Sequence, residues 1–309
     1  MLAESLLQTL QQVRHRLRRP VLRRVIGASV LILSFGYLGR ILARNWSDLV
    51  AHDWQIDYGL AVPAFACYSL ALGSAVLGWT LIVRRLTPST RLRKHLKYYT
   101  YTNLLKHLPA PLLDVFGRAY LYEQEGVGKS TMVTVSLLEW AVLILSGLVV
   151  YSLTSPFLPL SPPWGAPWIP LGLLVVGAVL IQPKTLRAVL GLVGREDLLV
   201  SFNYGDLLGW LAVYSVVWTV GGVVLHLGIN SIHPLPWELL PAVVGIWAIS
   251  GLVPTLMLVT PVGLGLKEVT LSVLLGHLIP LPVAVIVALL MRVVLILFEI
   301  VWGLIGLNL

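Results

Sequence analysis

Residues 259–275 read VTPVGLGLKEVTLSVLL: a Pro-x-Gly-x-Gly break, then a lysine and a glutamate side by side, between two long apolar runs. How this stretch is read decides whether the chain is a plain bundle of helices or a bundle interrupted part-way. Proline stops a preceding helix from running on, and glycine turns the backbone without a Cβ clash. A helix restarting near Gly265 presents free N–H groups and the positive end of its dipole. Such an end suits an anion, phosphate above all, and Lys267 adds a formal charge beside it. On a helix, Lys267 and Glu268 project about 100° apart, so each needs a partner on another element. Glu268 is open to three roles: orienting the lysine, holding a sugar or amine of the same ligand, or carrying a proton. The plain alternative is an ion-pair brace between helices.

The runs on either side place the stretch in a membrane. The 309-residue chain is 57% hydrophobic and 12% charged, about half the charge of a soluble domain. Windows at 25–42, 131–153, 207–228 and 282–306 meet the length of roughly 18 apolar residues that marks a spanning helix. The single cysteine, Cys67, lies in an apolar run. That excludes a disulfide framework or cysteine metal cluster and leaves a buried structural thiol.

A net charge of +8 does not point to nucleic acid, because of where the charge sits. Arg14, Arg16, Arg18, Arg19, Arg23 and Arg24 precede the first span; Arg84, Arg85, Arg91, Arg93, Lys94 and Lys97 follow the second. Basic clusters at span ends mark the cytoplasmic side and favour anionic headgroups there. From residue 25 the chain runs outward, and 43–58 carries Asp48, Asp53 and Asp57 against Arg44. Span 59–83 returns, 131–153 leaves, 168–182 returns to Lys184, Arg187 and Arg195, 207–228 leaves, and 282–306 returns. Both termini are thus expected in the cytoplasm, with the chain multi-pass in the plasma (inner) membrane.

Residues 1–24 form the basic N-terminal segment and 25–309 a single transmembrane domain. No small-x-small cleavage site follows the first run, so it reads as an uncleaved span. Leu2, Leu6, Leu10 and Val13 keep helical spacing, which suits a short interfacial helix or, equally, a frayed tail.

Two segments resist reading as simple spans. In 98–125, Pro109 and Pro111 break an apolar stretch that must enter and leave on the cytoplasmic face; 239–280 holds Pro261, Gly263 and Gly265 and must enter and leave on the outer face. Irregular backbone at membrane depth persists only where protein or a wet cavity satisfies its polar groups. The expected fold is therefore an all-α polytopic membrane protein of about six full spans plus two oppositely oriented broken hairpins. That is the layout of an inverted-repeat transporter. The alternative is two kinked helices.

The ionisable residues at membrane depth are Lys106, Arg118, Lys267 and Arg292 against Asp114, Glu139, Glu268 and Glu299. Each unpaired charge at a helix centre costs roughly 2.5–3.5 kcal/mol even on a lenient scale. Such residues face a bundle interior and either pair or handle a substrate. Asp114 and Arg118, four apart, can meet on one helical face. Arg292 and Glu299, seven apart, share a face two turns distant.

Sharper motifs fail. EGVGKS at 125–130 has Glu123 where a phosphate loop needs its first glycine, and GLGLKE at 263–268 lacks the third glycine of a dinucleotide fingerprint. There is no H-E-x-x-H, no G-x-S-x-G and no aspartate-rich metal box, so no cofactor or metal is expected. His107, His226, His233 and His277 are scattered and suit polar packing or loops, with His107 and His277 as candidate proton carriers.

The segment KHLPAPLLDVFGRAYLYEQEGVGKSTMVTVSLLEW (106–140) resembles the first signature of the lysylphosphatidylglycerol synthase transmembrane-region family, the flippase-like domain. Lys106, Pro109, Arg118, Tyr120, Gly126 and Glu139 carry it. Pro261, Gly263, Gly265 and Glu268 resemble its second signature, and Arg292 stands at its late basic position. Ala110 after Pro109, and Val262 within the second motif, depart from the pattern. The resemblance implies an integral inner-membrane protein that moves lipids with charged or glycosylated headgroups between leaflets.

The expected activity is that of a flippase for a phosphate-bearing lipid, a polyprenyl-phosphate-linked sugar or an aminoacyl phospholipid. Arg118, Lys267 and Lys106 would hold the phosphate, and Glu139 and Glu268 the rest of the headgroup or a proton. Pro261, Gly263 and Gly265 would shape the site, with Asp114, Arg292 and Glu299 as brace or gate. The expected partners are a membrane lipid with an anionic headgroup and a glycosyltransferase or lipid synthase. Two other readings stay open: an intramembrane lipid-modifying transferase using Glu268 or Glu139 as base, and a membrane anchor for such an enzyme.

Overall fold

The computed structural model describes residues 20–51, 54, 56–87, 91–106, 112–159, 171–172, 175, 177, 182, 203–257 and 265–307. Among them every regular element is helical: α1 (Pro20–Arg44), α2 (Trp46–Ala51), α3 (Ala61–Leu86), α4 (Leu92–Leu105) and α5 (Leu113–Glu123) are followed by α6 (Lys129–Thr154), α7 (Tyr204–Asn230), α8 (Leu240–Met257), α9 (Leu266–Leu275) and α10 (Leu281–Leu307). Five stretches of the described residues are long and apolar enough to cross a membrane: Tyr58–Leu86, Lys129–Phe157, Tyr204–Asn230, Trp237–Thr255 and Leu281–Gly306.

Four of these coincide with the windows expected at 59–83, 131–153, 207–228 and 282–306. The window at 25–42 falls inside the continuous helix α1. The one at 168–182 lies almost wholly outside the described residues, as do residues 1–19. The fifth stretch is a difference. The segment 239–280 begins with α8, whose 18 residues extend about 27 Å at 1.5 Å per residue. That nearly matches a hydrocarbon core of roughly 30 Å. Pro254 sits inside α8, and the helix continues one further turn past it, so this proline does not mark its end. By contrast α9, with 10 residues, reaches about 15 Å, half that depth.

Helix α7 is the hub, packed on α3, α6 and α8, while α9 lies between α8 and α10 and also meets α1. Hydrophobic burial does not drive helices together inside lipid, so close backbone approach has to. The pair Gly221–Gly222 provides it. A Cβ on Gly222 would lie 2.6 Å from the Val244 Cα of α8, so no larger residue fits. One core gathers Trp79, Tyr122, Met132 and Tyr214 from α3, α5, α6 and α7. A second gathers Leu225, Ile246, Leu275 and Val287 from α7 to α10.

The helix ends are pinned by polar contacts. Asn203 caps α7 by accepting from the Asp206 N–H at 2.9 Å, while Asp206 accepts from the Asn203 N–H at 2.8 Å. Asp206 also accepts from Arg85 Nε at the end of α3, at 3.0 Å. At the opposite end of the α3–α7 pair, the Asp57 N–H donates to the Ser231 carbonyl at 2.8 Å. Lys94 of α4 pairs with Glu125 in the α5–α6 turn, and Tyr98 donates to the same carboxylate at 2.9 Å. Those two donors hold the Glu125 carboxyl below the usual carboxylate range.

Candidate functional site

Both breaks restart their helix through a backbone in the left-handed region. Leu112, before α5, has φ 62°, and Gly265, before α9, has φ 82°. For leucine that conformation costs about 1–2 kcal/mol, which the surrounding packing must offset. Gly265 avoids the penalty; a Cβ there would also press to 2.6 Å from the Ser34 side chain of α1. Residues 107–111 and 258–264, including His107, Pro109, Pro111, Pro261 and Gly263, lie outside the described residues.

Beside the first break is a saturated ion pair. Arg118 of α5 is 4% exposed and Glu139 of α6 is 3% exposed, and Arg118 Nη1 donates to Glu139 Oε2. Glu139 Oε1 accepts from Tyr214 at 2.8 Å and from Tyr99 at 3.1 Å. Arg118 Nε donates to Thr102 Oγ1 at 3.1 Å. The guanidinium also rests on the rings of Trp79 and Tyr99, 4.5 and 4.3 Å from their centroids. The local pairing of Asp114 with Arg118 does not form. Asp114 acts on Arg118 by its field alone, because the guanidinium points away to α6. Tyr120 is exposed, and Gly126 takes a left-handed turn at φ 82°.

The remaining charges meet around α10. Lys106, at the end of α4, donates to Glu299 at 2.6 Å and to Asn103 at 3.1 Å. Arg292 donates to Glu268 Oε1, and Glu268 Oε2 accepts the Gly265 N–H at 2.8 Å. The carboxylate of Glu268 thus takes a donor at the start of α9 that the sequence leaves open for a ligand. The same-face placement of Arg292 and Glu299 proves to serve two different partners, one at each break.

Lys267 is the remainder. It makes no ion pair or hydrogen bond among the described residues. Its ammonium lies 3.9 Å from the ring centroid of Trp247 on α8, a cation–π contact. Trp247 in turn lies against Gly221 of α7, where a Cβ would come within 2.3 Å of Nε1. The fields of Lys106, Glu268, Glu299 and Arg292 act on Lys267, so these five residues form one electrostatic cluster. The neutral partners Tyr99, Thr102, Trp79, Tyr214 and Trp247 carry no sequence signal of their own, since each is one aromatic or hydroxyl residue in an apolar helix.

Elsewhere, His226 is buried against Trp237, ring centroids 4.5 Å apart, with neither ring nitrogen hydrogen-bonded. His277 lies in the turn after α9. An apolar cavity of about 340 Å³, lined by residues including Trp46, Trp54 and Ile286, contains none of the cluster charges. Among the described residues no group of three His, Cys, Asp or Glu could hold a metal ion. No family model matches this sequence, and no curated protein matches it.

Proposed function

We propose that this chain is a lipid transporter of the flippase-like kind, moving a phosphate-bearing lipid between the leaflets of the plasma (inner) membrane. The observation that carries the reading is Lys267, a cation without a carboxylate beside a break in the membrane-embedded chain. An unpaired charge in that setting marks a ligand or ion pathway by default. Lys106, whose side chain is 38% exposed, is the part of the same cluster that a headgroup reaches from outside.

In this reading α4–α5 and α8–α9 are the two broken hairpins, opposed in direction among about six full spans, with both termini cytoplasmic. The headgroup lies where the hairpins meet, as in inverted-repeat transporters. Lys267 and Lys106 contact the phosphate, Glu268 and Glu299 hold the cations in place, and Arg118 with Glu139 keeps the first hairpin folded. The resemblance to the lysylphosphatidylglycerol synthase transmembrane-region family agrees with this, and membership of that family is part of the proposal. A glycosyltransferase or lipid synthase would supply the substrate.

The test is reconstitution in vesicles carrying a fluorescent phospholipid, with a membrane-impermeant quencher reporting its movement between leaflets. Wild type should accelerate movement over protein-free vesicles, and Lys267→Gln should lose most of that acceleration. No acceleration by wild type with any phosphate-bearing lipid would remove the transport reading.

A further inference from the structure

The charge count of the cluster sets the charge of its ligand. Three cations, Lys106, Lys267 and Arg292, stand against two carboxylates, Glu268 and Glu299, and these four neighbours are the charges acting on Lys267. Each carboxylate has a cation of its own, Glu299 in Lys106 and Glu268 in Arg292. Neither undescribed break can supply a third, because 107–111 (HLPAP) and 258–264 (LVTPVGL) contain no Asp or Glu. Asp114 belongs to the other centre, where it acts on Arg118. Among the described residues one positive charge is left, seated on the Trp247 face.

From this excess we infer that the site takes a lipid bearing a single negative charge on a phosphodiester and an otherwise uncharged headgroup. In a medium of low dielectric an uncompensated charge of either sign is costly. A single phosphodiester brings the cluster to neutrality. A diphosphate or a second phosphate overshoots by one charge, and a zwitterionic or aminoacylated lipid leaves the excess in place or adds to it. Both carboxylates are already engaged, so no free acid waits for a cationic headgroup. The inference rests on Lys267 being the anion contact of the proposed function, and it narrows that function towards lipids whose headgroup beyond the phosphate is a sugar or polyol.

The experiment is native mass spectrometry of the purified full chain in detergent, titrated with phosphatidylglycerol (one negative charge), phosphatidylethanolamine (zwitterionic), cardiolipin (two negative charges) and lysyl-phosphatidylglycerol (net positive). Wild type should hold phosphatidylglycerol about tenfold or more tightly than the others, the scale of one charge-assisted contact. Lys267→Arg should keep that order, and Lys267→Gln should abolish it while the protein stays folded. Cardiolipin or lysyl-phosphatidylglycerol binding as tightly as phosphatidylglycerol, or an unchanged order in Lys267→Gln, overturns the inference. Dimethyl phosphate, a soluble anion of the same charge, separates lipid from free phosphodiester: displacement at concentrations matching the lipid would overturn the lipid class. In vesicles, phosphatidylglycerol held but not moved leaves the charge assignment standing and removes transport. Movement of a doubly charged lipid with none of phosphatidylglycerol does the reverse.

Discussion

Around Arg118 every polar group has a counterpart. The guanidinium meets Glu139, Thr102 and two ring faces, and the carboxylate meets Tyr99 and Tyr214 as well. Around Lys267 the same kinds of residue leave a remainder. Two carboxylates are matched to two cations, and a third cation rests on an indole. Both centres adjoin a broken helix, and both would read alike in a tally of membrane charges. The difference is stoichiometric: in one set every charge is matched across helices, and in the other one cation is left over.

The strongest way to break this comparison is to unmatch the matched centre. Glu139→Gln leaves Arg118 buried without its counter-ion and should cost about 3–5 kcal/mol, seen as a large drop in the thermal unfolding midpoint in detergent. Unchanged stability would mean that the pair is no brace. Next in size is Glu268→Gln, which removes a carboxylate shared by Arg292 and the Gly265 N–H. A loss of roughly 1.5–3 kcal/mol is expected from its charge-assisted bonds, together with faster proteolysis near the second break. Lys267→Gln should then move the unfolding midpoint by the equivalent of about 1 kcal/mol or less, since it breaks only a ring contact. A fall as deep as that of Glu139→Gln would make Lys267 structural and erase the contrast.

The smallest effect lies outside both centres, at the Lys94–Glu125 latch. Because the Glu125 carboxyl is held low, its stabilisation is complete above the ordinary glutamate value of 4.5. It is lost only as pH falls further, through the lowered value. Lys94 is 45% exposed, so solvent screening keeps the contribution to about 1 kcal/mol or less. Wild type and Glu125→Gln should therefore differ slightly near neutral pH and converge in strong acid when their unfolding midpoints are followed.

Much of the helical layout was legible because an apolar run of bilayer length has few other uses: α3, α6, α7 and α10 lie within a few residues of their expected windows. Helix α8 was not legible as a separate long helix. Pro254 sits within the same apolar stretch as the Pro-x-Gly-x-Gly break, and composition cannot tell a proline the helix absorbs from one that ends it. The eight charges stood out together in the sequence, but their pairing was not legible. Helical spacing predicts only local partners, such as Asp114 for Arg118. The actual partner, Glu139, comes from the next helix and is chosen by how α5 packs on α6. Trp247 was beyond reach for a related reason: its place under Lys267 depends on the room Gly221 leaves.

Helix α10 carries Arg292 for one break and Glu299 for the other, about 10 Å apart along a single rod. Any coupling between the two breaks therefore has one rigid helix to run through, and it is reciprocal. By whatever factor the loss of Arg292 from Glu268 changes the affinity of Lys106 for Glu299, the loss of Lys106 from Glu299 changes that of Arg292 for Glu268 by the same factor. A double-mutant cycle between Glu268 and Glu299 reads that coupling energy directly.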